Sequence, residues 1–412
     1  MSQCPYTNLL GLDTYVKGMP YQDLAKIREA GSLVWIEDPE NGVPYWAAVK
    51  RDSLDFISQN PDLFSSAEQG PFPMEMDESE KEQQEMMMEH FIISMDPPKH
   101  MKYRKVVRDA FTPRAVKAME PWLRECAKKI IDRVASKGEC EFVEDVDAEL
   151  PLMAILEVLG VPQEDRKQFF EWTNIMAFAD DPDVATSRDE AQHVSFEVLL
   201  YAAELAKKQR ANPTSQVVEA LLNGEVDGNK ISEEMFAWMF ILIMVGGNES
   251  TRTATAHGMR LLMENPDQLQ HLVDHPEDIP DAVEEMLRYN PAFVGMQRQV
   301  MEDVEVCGVQ MKQGDKMILH WHTINMDDEL FSEPLKFDIA RGQNMDLHRE
   351  HRAFGIGTHF CLGAHLARLE LQIMFEEIIP RMRNPKIAKP VEYVRDHFVN
   401  GIKSMHITFD AA

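Results

Sequence analysis

The chain has 412 residues, 44% hydrophobic, 27% charged and 8% aromatic, the make-up of a folded protein with a large core and not of a disordered or collagen-like one. With 42 lysines and arginines against 70 aspartates and glutamates, the formal charge is −28, which argues against nucleic acid or an anionic membrane as the main partner. Cys4, Cys126, Cys140, Cys307 and Cys361 are scattered and odd in number, and there is neither a signal peptide nor an apolar run of the ~20 residues a membrane span needs, so a cytoplasmic protein is expected. No Gly/Ser/Pro-rich linker interrupts residues 1–412, which are read as a single domain.

In chain order, residues 33–36 and 45–49 flank a Pro-Glu-Asn-Gly-Val turn and predict a β-hairpin. Residues 75–90 are acidic and methionine-rich without a clear period. They read as a surface loop or, more sharply, as a lid, since Met86 to Met88 are adaptable apolar groups. Apolar residues at three- and four-residue spacing predict helices over 115–136, 162–178, 189–210, 233–265 and 278–289. Residues 304–319 return to strand character with Gly308 and Gly314 as turn residues. The chain is helical again after Phe354 through Arg381, and the C-terminal stretch 397–408 looks like a closing hairpin. The fold class is mainly α with small β-sheets.

Two segments carry chemistry. The first is Phe354-Gly355-Ile356-Gly357-Thr358-His359-Phe360-Cys361-Leu362-Gly363, whose glycines suit a tight loop with N–H groups aimed at the Cys361 sulfur at the start of a helix, where the dipole favours thiolate. No CxxC pair supplies the other ligands of a zinc or iron–sulfur site, so a cofactor bringing four ligands of its own is the simpler partner. The second is Gly246-Gly247-Asn248-Glu249-Ser250 inside the 233–265 helix, where adjacent glycines cost about 1 kcal/mol each relative to alanine and leave room for a small ligand. His320 and His322 alternate in a strand and read as core or edge residues, since two histidines without a third ligand seldom make a metal site.

The FGxGxHxCxG run resembles the haem-binding loop of the cytochrome P450 superfamily, and the chain is similar to its soluble bacterial class I members along nearly its whole length. The resemblance implies the cytochrome P450 fold, a triangular α-helical prism, and haem b (iron protoporphyrin IX) with Cys361 as the iron ligand between Phe354 and Gly363. It implies that His100, Arg104, Arg298 and His359 receive the haem propionates, and that Glu285, Arg288 and Arg341 form a structural cluster bracing the cysteine loop. Glu249 and Ser250 match the family's acid–alcohol pair that feeds protons to oxygen, with serine in place of the commoner threonine. Met326 departs from a family segment that usually reads Asn-Arg-Asp.

The implied activity is a monooxygenase that hydroxylates a lipophilic substrate, terpenoid, steroid or fatty-acid-like, using O2 and electrons from an acidic ferredoxin and its NAD(P)H-dependent reductase. The cations between Lys99 and Lys117 are expected to dock that ferredoxin. Met88, Phe178, Met244, Val245, Phe293, Val294 and Val399 are expected to contact substrate. The rivals are a peroxide-driven or non-oxygenating haem-thiolate enzyme and a non-catalytic haem sensor. The acid–alcohol pair favours the monooxygenase.

Overall fold

The computed structural model describes residues 8–37, 43–73 and 81–411. Its centre is one helix, Glu233–Glu264, of 32 residues and so about 48 Å long at 1.5 Å per residue. The Ser232 hydroxyl starts it by accepting the Met235 N–H at 3.0 Å. Phe236, Phe240, Ile241, Met244, Ala254 and Leu262 bury successive faces, as expected of a helix that runs through a core and not along its surface.

The helices predicted from periodicity form with small shifts at their ends. Pro113–Val134 begins at a capping Thr112 with proline in its first position. Arg166–Ala177 and Arg188–Ala211 pack on the central helix, as do Ile279–Tyr289 and Ala364–Arg381. The methionine-rich segment differs from its reading as a loop. Lys81–His90 is helical, and the rest of that reading, 75–80, lies outside the described residues.

The hairpin Leu33–Ile36/Tyr45–Ala48 is present, with Leu33 opposite Ala48, although residues 39–42 of its 39–43 turn lie outside the described residues. It edges a five-stranded sheet in which the fully buried Lys316–His320 runs parallel to Tyr45–Ala48 and antiparallel to Gly295–Val300. The C-terminal hairpin is not formed as read. His406–Asp410 pairs instead with Arg383–Ile387 and Glu139–Glu141, while Val399 bridges to Phe293. Strand partners from distant sequence compete with the local turn, and burial decides between them. Among the described residues no helix is long and apolar enough to cross a membrane.

Candidate functional site

The cysteine loop is fixed by backbone geometry. Gly355 and Gly357 have φ of 70° and 75°, and a Cβ on Gly357 would lie 2.3 Å from the Ser58 carbonyl, so glycine is required there twice over. The Cys361 N–H closes the loop on the Phe354 carbonyl at 2.9 Å. Helix Ala364–Arg381 starts directly beyond, with the Gly363 and Ala364 N–H groups on the sulfur. Burial nevertheless raises the thiol pKa, and those N–H groups with Arg104 and Arg368 offset the rise without reversing it. The N–H groups at the helix start thus act on the sulfur in the direction expected, against its desolvation, and a positive centre beside it would favour the thiolate further.

Behind the loop the structure assembles a brace. Glu285 accepts both Arg288 Nε at 2.7 Å and Arg288 Nη2 at 2.8 Å, and Arg341 Nε lies 3.2 Å from the same carboxylate. Glu285 and Arg288 are wholly buried, and Arg288 also holds the Asn325 carbonyl at 2.9 Å. Met326 is buried with its sulfur on Arg288, so the departure at that position fills core and does not alter the surface.

A second brace was not visible in the sequence. Glu284 takes Arg368 at 2.6 Å and His351 at 2.8 Å, and Arg368 stacks over the Phe354 ring at 4.4 Å. Burial alone would raise the Glu284 carboxyl, but the His351 and Arg368 hydrogen bonds hold it down at about 2. No motif announces it, because Glu284 and Arg368 are 84 residues apart.

Cys361 opens onto a cavity of about 490 Å³. His100, Arg104, Arg298 and His359 come from three segments to its wall, the first two from one helix, with the His100 and His359 rings 4.2 Å apart. Arg298 is buried and bonds the neighbouring Gln297 carbonyl at 2.6 Å, and Arg104 bonds the Phe360 carbonyl at 2.5 Å. Among the described residues neither arginine makes an ion pair. Burial lowers Arg298 to about 10 and His100 to about 4, the latter helped by Arg104. His100 Nδ1 is buried without a partner. A buried guanidinium at Arg298, with a half-buried one at Arg104 beside it, is costly without a protein anion unless a ligand supplies the negative charge.

Gly363 lines the same wall, and nothing lies within 4 Å of where its Cβ would be, which leaves a flat approach to the sulfur. A planar cofactor with a metal for the thiolate and two carboxylates for the arginines fits these residues. Among the described residues no three His, Cys, Asp or Glu side chains group to hold a metal by themselves, and His320 is occupied by Tyr15 at 3.2 Å.

Across the cavity stands the central helix. Gly246 faces the opening with nothing within 4 Å of a Cβ position, whereas a Cβ on Gly247 would meet Ile155 at 2.6 Å. Only the first glycine leaves space; the second permits helix packing. The Ser250 hydroxyl donates to the Gly246 carbonyl at 2.8 Å. Glu249 is 1% exposed, pairs with Arg252 at 2.6 Å and accepts Asn248 Nδ2 at 2.9 Å. Burial raises its pKa despite Arg252.

Of the residues expected to contact substrate, Val245, Phe293 and Val399 line the cavity, whereas Met88, Phe178, Met244 and Val294 do not. Consecutive helical residues point about 100° apart, so one of three methionines faces inward, and it is Met87. Met244 is wholly buried in the core, and Val294 is tied down at 2.8 Å to the Phe398 carbonyl. Phe178 packs on Val394 and Val399 beneath Arg252. Beyond Phe293, sequence reasoning missed an aromatic wall: Phe293, Phe398, Phe72, Phe91 and Trp238 follow one another with centroids 4.8, 5.3, 6.4 and 5.5 Å apart.

A single cysteine facing a large apolar cavity, opposite an acid–alcohol pair and beside two arginines without anions, defines a thiolate-ligated cofactor protein. Residues 279–386 match the family model Cytochrome P450. The chain is 34% identical over 403 residues to a steroid C26-monooxygenase of Mycolicibacterium smegmatis, covering 96% of this chain and 91% of that protein. It is also 34% identical over 395 residues to a methyl-branched lipid omega-hydroxylase of Mycobacterium tuberculosis, covering 93% and 89%. The crystal structure of the Mycobacterium marinum cytochrome P450 CYP268A2 in complex with pseudoionone is similar with a TM-score of 0.87 at 29% identity, covering 99% of this chain and all of that one. The chain belongs to the cytochrome P450 family and is a monooxygenase, a membership that implies haem and the use of O2.

Proposed function

We propose that residues 1–412 act as one cytoplasmic catalytic unit that binds haem b and hydroxylates a lipophilic substrate of the steroid or branched-lipid kind, with electrons from an acidic ferredoxin and its NAD(P)H-dependent reductase. The observation that carries this reading is the cavity itself, which joins Cys361, the arginines without anions and a mainly apolar, aromatic wall. The names of the similar hydroxylases support the substrate class.

In this reading Cys361 would ligate the haem iron, and His100, Arg104, Arg298 and His359 would receive the two propionates, giving both guanidiniums an anion the chain does not supply. Haem, when bound, supplies one-electron chemistry and oxygen activation. The rest falls to the chain. Phe293, Phe398, Phe72, Phe91 and Trp238 hold the hydrocarbon by shape and burial at about 25 cal/mol per Å² and keep water out. Glu249, its carboxyl held toward the neutral form by burial, keeps a proton available, and Ser250 passes it on when its hydroxyl turns from the Gly246 carbonyl. Without the methyl of threonine that hydroxyl rotates more freely.

Haem-loaded protein should give a strongly red-shifted ferrous–CO Soret band that Cys361→His abolishes; survival of the shift would remove Cys361 as the ligand. Ser250→Ala should keep substrate binding and electron uptake while diverting reducing equivalents to peroxide, measured as product per NAD(P)H. Turnover with ferredoxin and reductase, set against peroxide alone, separates the monooxygenase from the peroxide-driven rival. A spin-state screen of steroids, terpenoids and fatty acids names the substrate class.

A further inference from the structure

A second set of polar side chains lines the cavity, on elements that carry neither the cysteine nor the acid–alcohol pair: Asp180, Arg188, Gln192, Ser195 and Asp396. They come from two parts of the chain that are tied together. Segment 178–187 joins the helices Arg166–Ala177 and Arg188–Ala211. Its Asp181 carboxylate accepts the Arg395 N–H at 3.0 Å and pairs with Lys403 at 2.9 Å, and Arg395 Nη1 donates to the Asp180 carbonyl at 3.2 Å. Asp396 follows Arg395 directly, so its carboxyl and the Asp180–Arg188 pair share one corner of the cavity wall.

The charges at this corner are already matched. Arg188 holds Asp180 through Nε at 2.8 Å and Nη2 at 3.1 Å, the bidentate geometry in which guanidinium and carboxylate bind best. Asp396 accepts the Phe398 and Val399 N–H groups at 3.0 Å each. Burial raises its carboxyl pKa, against the pull of His397 and those N–H groups. Ionised, Asp396 repels a substrate anion; protonated, it still brings no positive charge. Among the described residues that line the cavity, the other guanidiniums are those of Arg104 and Arg298, on the elements that face the cysteine loop. A substrate carboxylate would therefore give up its water beside two acids with no cation to replace it, which is costly. Neutral partners are present. The Ser195 hydroxyl donates to the Ala191 carbonyl at 2.8 Å and keeps its lone pairs, and the Gln192 amide makes no hydrogen bond among the described residues.

We propose that this corner receives the end of the substrate remote from the oxidised carbon and selects an uncharged hydroxyl over a carboxylate, so that the lipids taken are alcohols, sterols among them, and not free fatty acids. This rests on the reading of the cavity as the site of a lipophilic substrate. The hydroxyl finds acceptors in Ser195 Oγ and the Asp396 carboxyl and a donor in Gln192 Nε2. Arg188 and Asp180 are specificity determinants by being paired with each other, which withholds the one cation of the corner from an acid.

The test is a set of spin-state titrations of the haem-loaded protein at neutral pH with two matched pairs, hexadecanol against palmitate and cholesterol against cholesterol sulfate. The alcohol of each pair should bind roughly tenfold more tightly, as expected when an anion lacks a charged partner. Hexadecanol should be oxidised toward its methyl end. Asp180→Asn, shown to keep its ferrous–CO spectrum, releases Arg188 and should tighten both anions roughly tenfold while leaving the alcohols within about twofold. Where Asp180→Asn does not load with haem, Arg188→Glu carries the comparison, and the preference for the alcohols should widen. Anions that bind the parent protein as tightly as the alcohols overturn the proposal, as does a preference unchanged in the variant or oxidation of hexadecanol beside its hydroxyl. In each of these results a lipophilic ligand still binds, so the lipophilic reading of the cavity stands. No response to any of the four ligands, nor to the wider screen, removes that reading and this proposal together.

Discussion

The central helix offers one substitution with opposite expected signs at two positions. A Cβ on Gly258 would lie 2.6 Å from Phe375 Cζ and 2.7 Å from Met286 Sδ, at the junction of the central helix with the helices that carry Glu285 and follow Cys361. Phe375 is wholly buried and its ring has nowhere to retreat. Gly258→Ala gains about 1 kcal/mol of helix propensity but suffers overpacking of about 1–3 kcal/mol, for a net loss of up to ~2 kcal/mol. At Gly246 nothing lies within 4 Å, so Gly246→Ala keeps the gain of about 0.5–1 kcal/mol.

At ~2.1 cal/mol/K per residue of unfolding entropy, each kcal/mol moves the melting temperature of this chain by only about 1 °C. The two variants should therefore melt about 2–3 °C apart, with Gly246→Ala above and Gly258→Ala below the parent in side-by-side circular-dichroism scans. Phe375→Leu should recover part of the Gly258→Ala loss. Equal stabilisation by both alanines would show that the helices are not packed as closely as these distances state.

Buried neutral histidines set an acid limit. Burial lowers His257 and His320 to about 3, so the unfolded chain binds protons more readily than the folded one. Their stabilising contribution is complete above pH 6.5 and is lost as pH falls from there toward 3. At pH 5 each costs about 2 kcal/mol; the melting temperature should drop between pH 7 and 5 and drop less in His320→Gln, and an equal drop in the variant would refute the assignment. On the basic segment, Lys102 pairs with Asp227 at 2.6 Å, Arg108 with Asp109 at 3.3 Å and Lys117 with Glu120. Lys105 and Arg114 are exposed and make no ion pair among the described residues, so reversing these two to Glu should slow reduction by ferredoxin most, with the effect shrinking as salt rises. A reduction rate indifferent to both would place docking elsewhere. Val245→Phe should weaken large ligands more than small ones in spectral titrations, whereas Val294→Phe, in the core, should lower stability by about 1–3 kcal/mol without sorting ligands by size. Equal size discrimination by both would contradict the cavity wall.

The sequence by itself determined what short-range physics settles. Gly355 and Gly357 mark a tight loop, which the structure shows at positive φ, and the three- and four-residue periods place the main helices to within a few positions. The cysteine, its glycines, and the Glu285, Arg288 and Arg341 set were legible because steric limits, caps and motif spacing act within a few residues of chain or recur as a pattern.

The tertiary structure alone decided which side of each segment meets the cavity and which charges meet each other. Met87 instead of Met88, and Val245 without its neighbour Met244, follow from a helix phase fixed by packing against distant elements. The C-terminal strand joined Glu139–Glu141, and the second brace joined Glu284 to Arg368, across separations that carry no local signal. Desolvation is a property of the assembled interior, so the cost of a buried charge, and the proton or ligand that relieves it, appears only once the chain is packed.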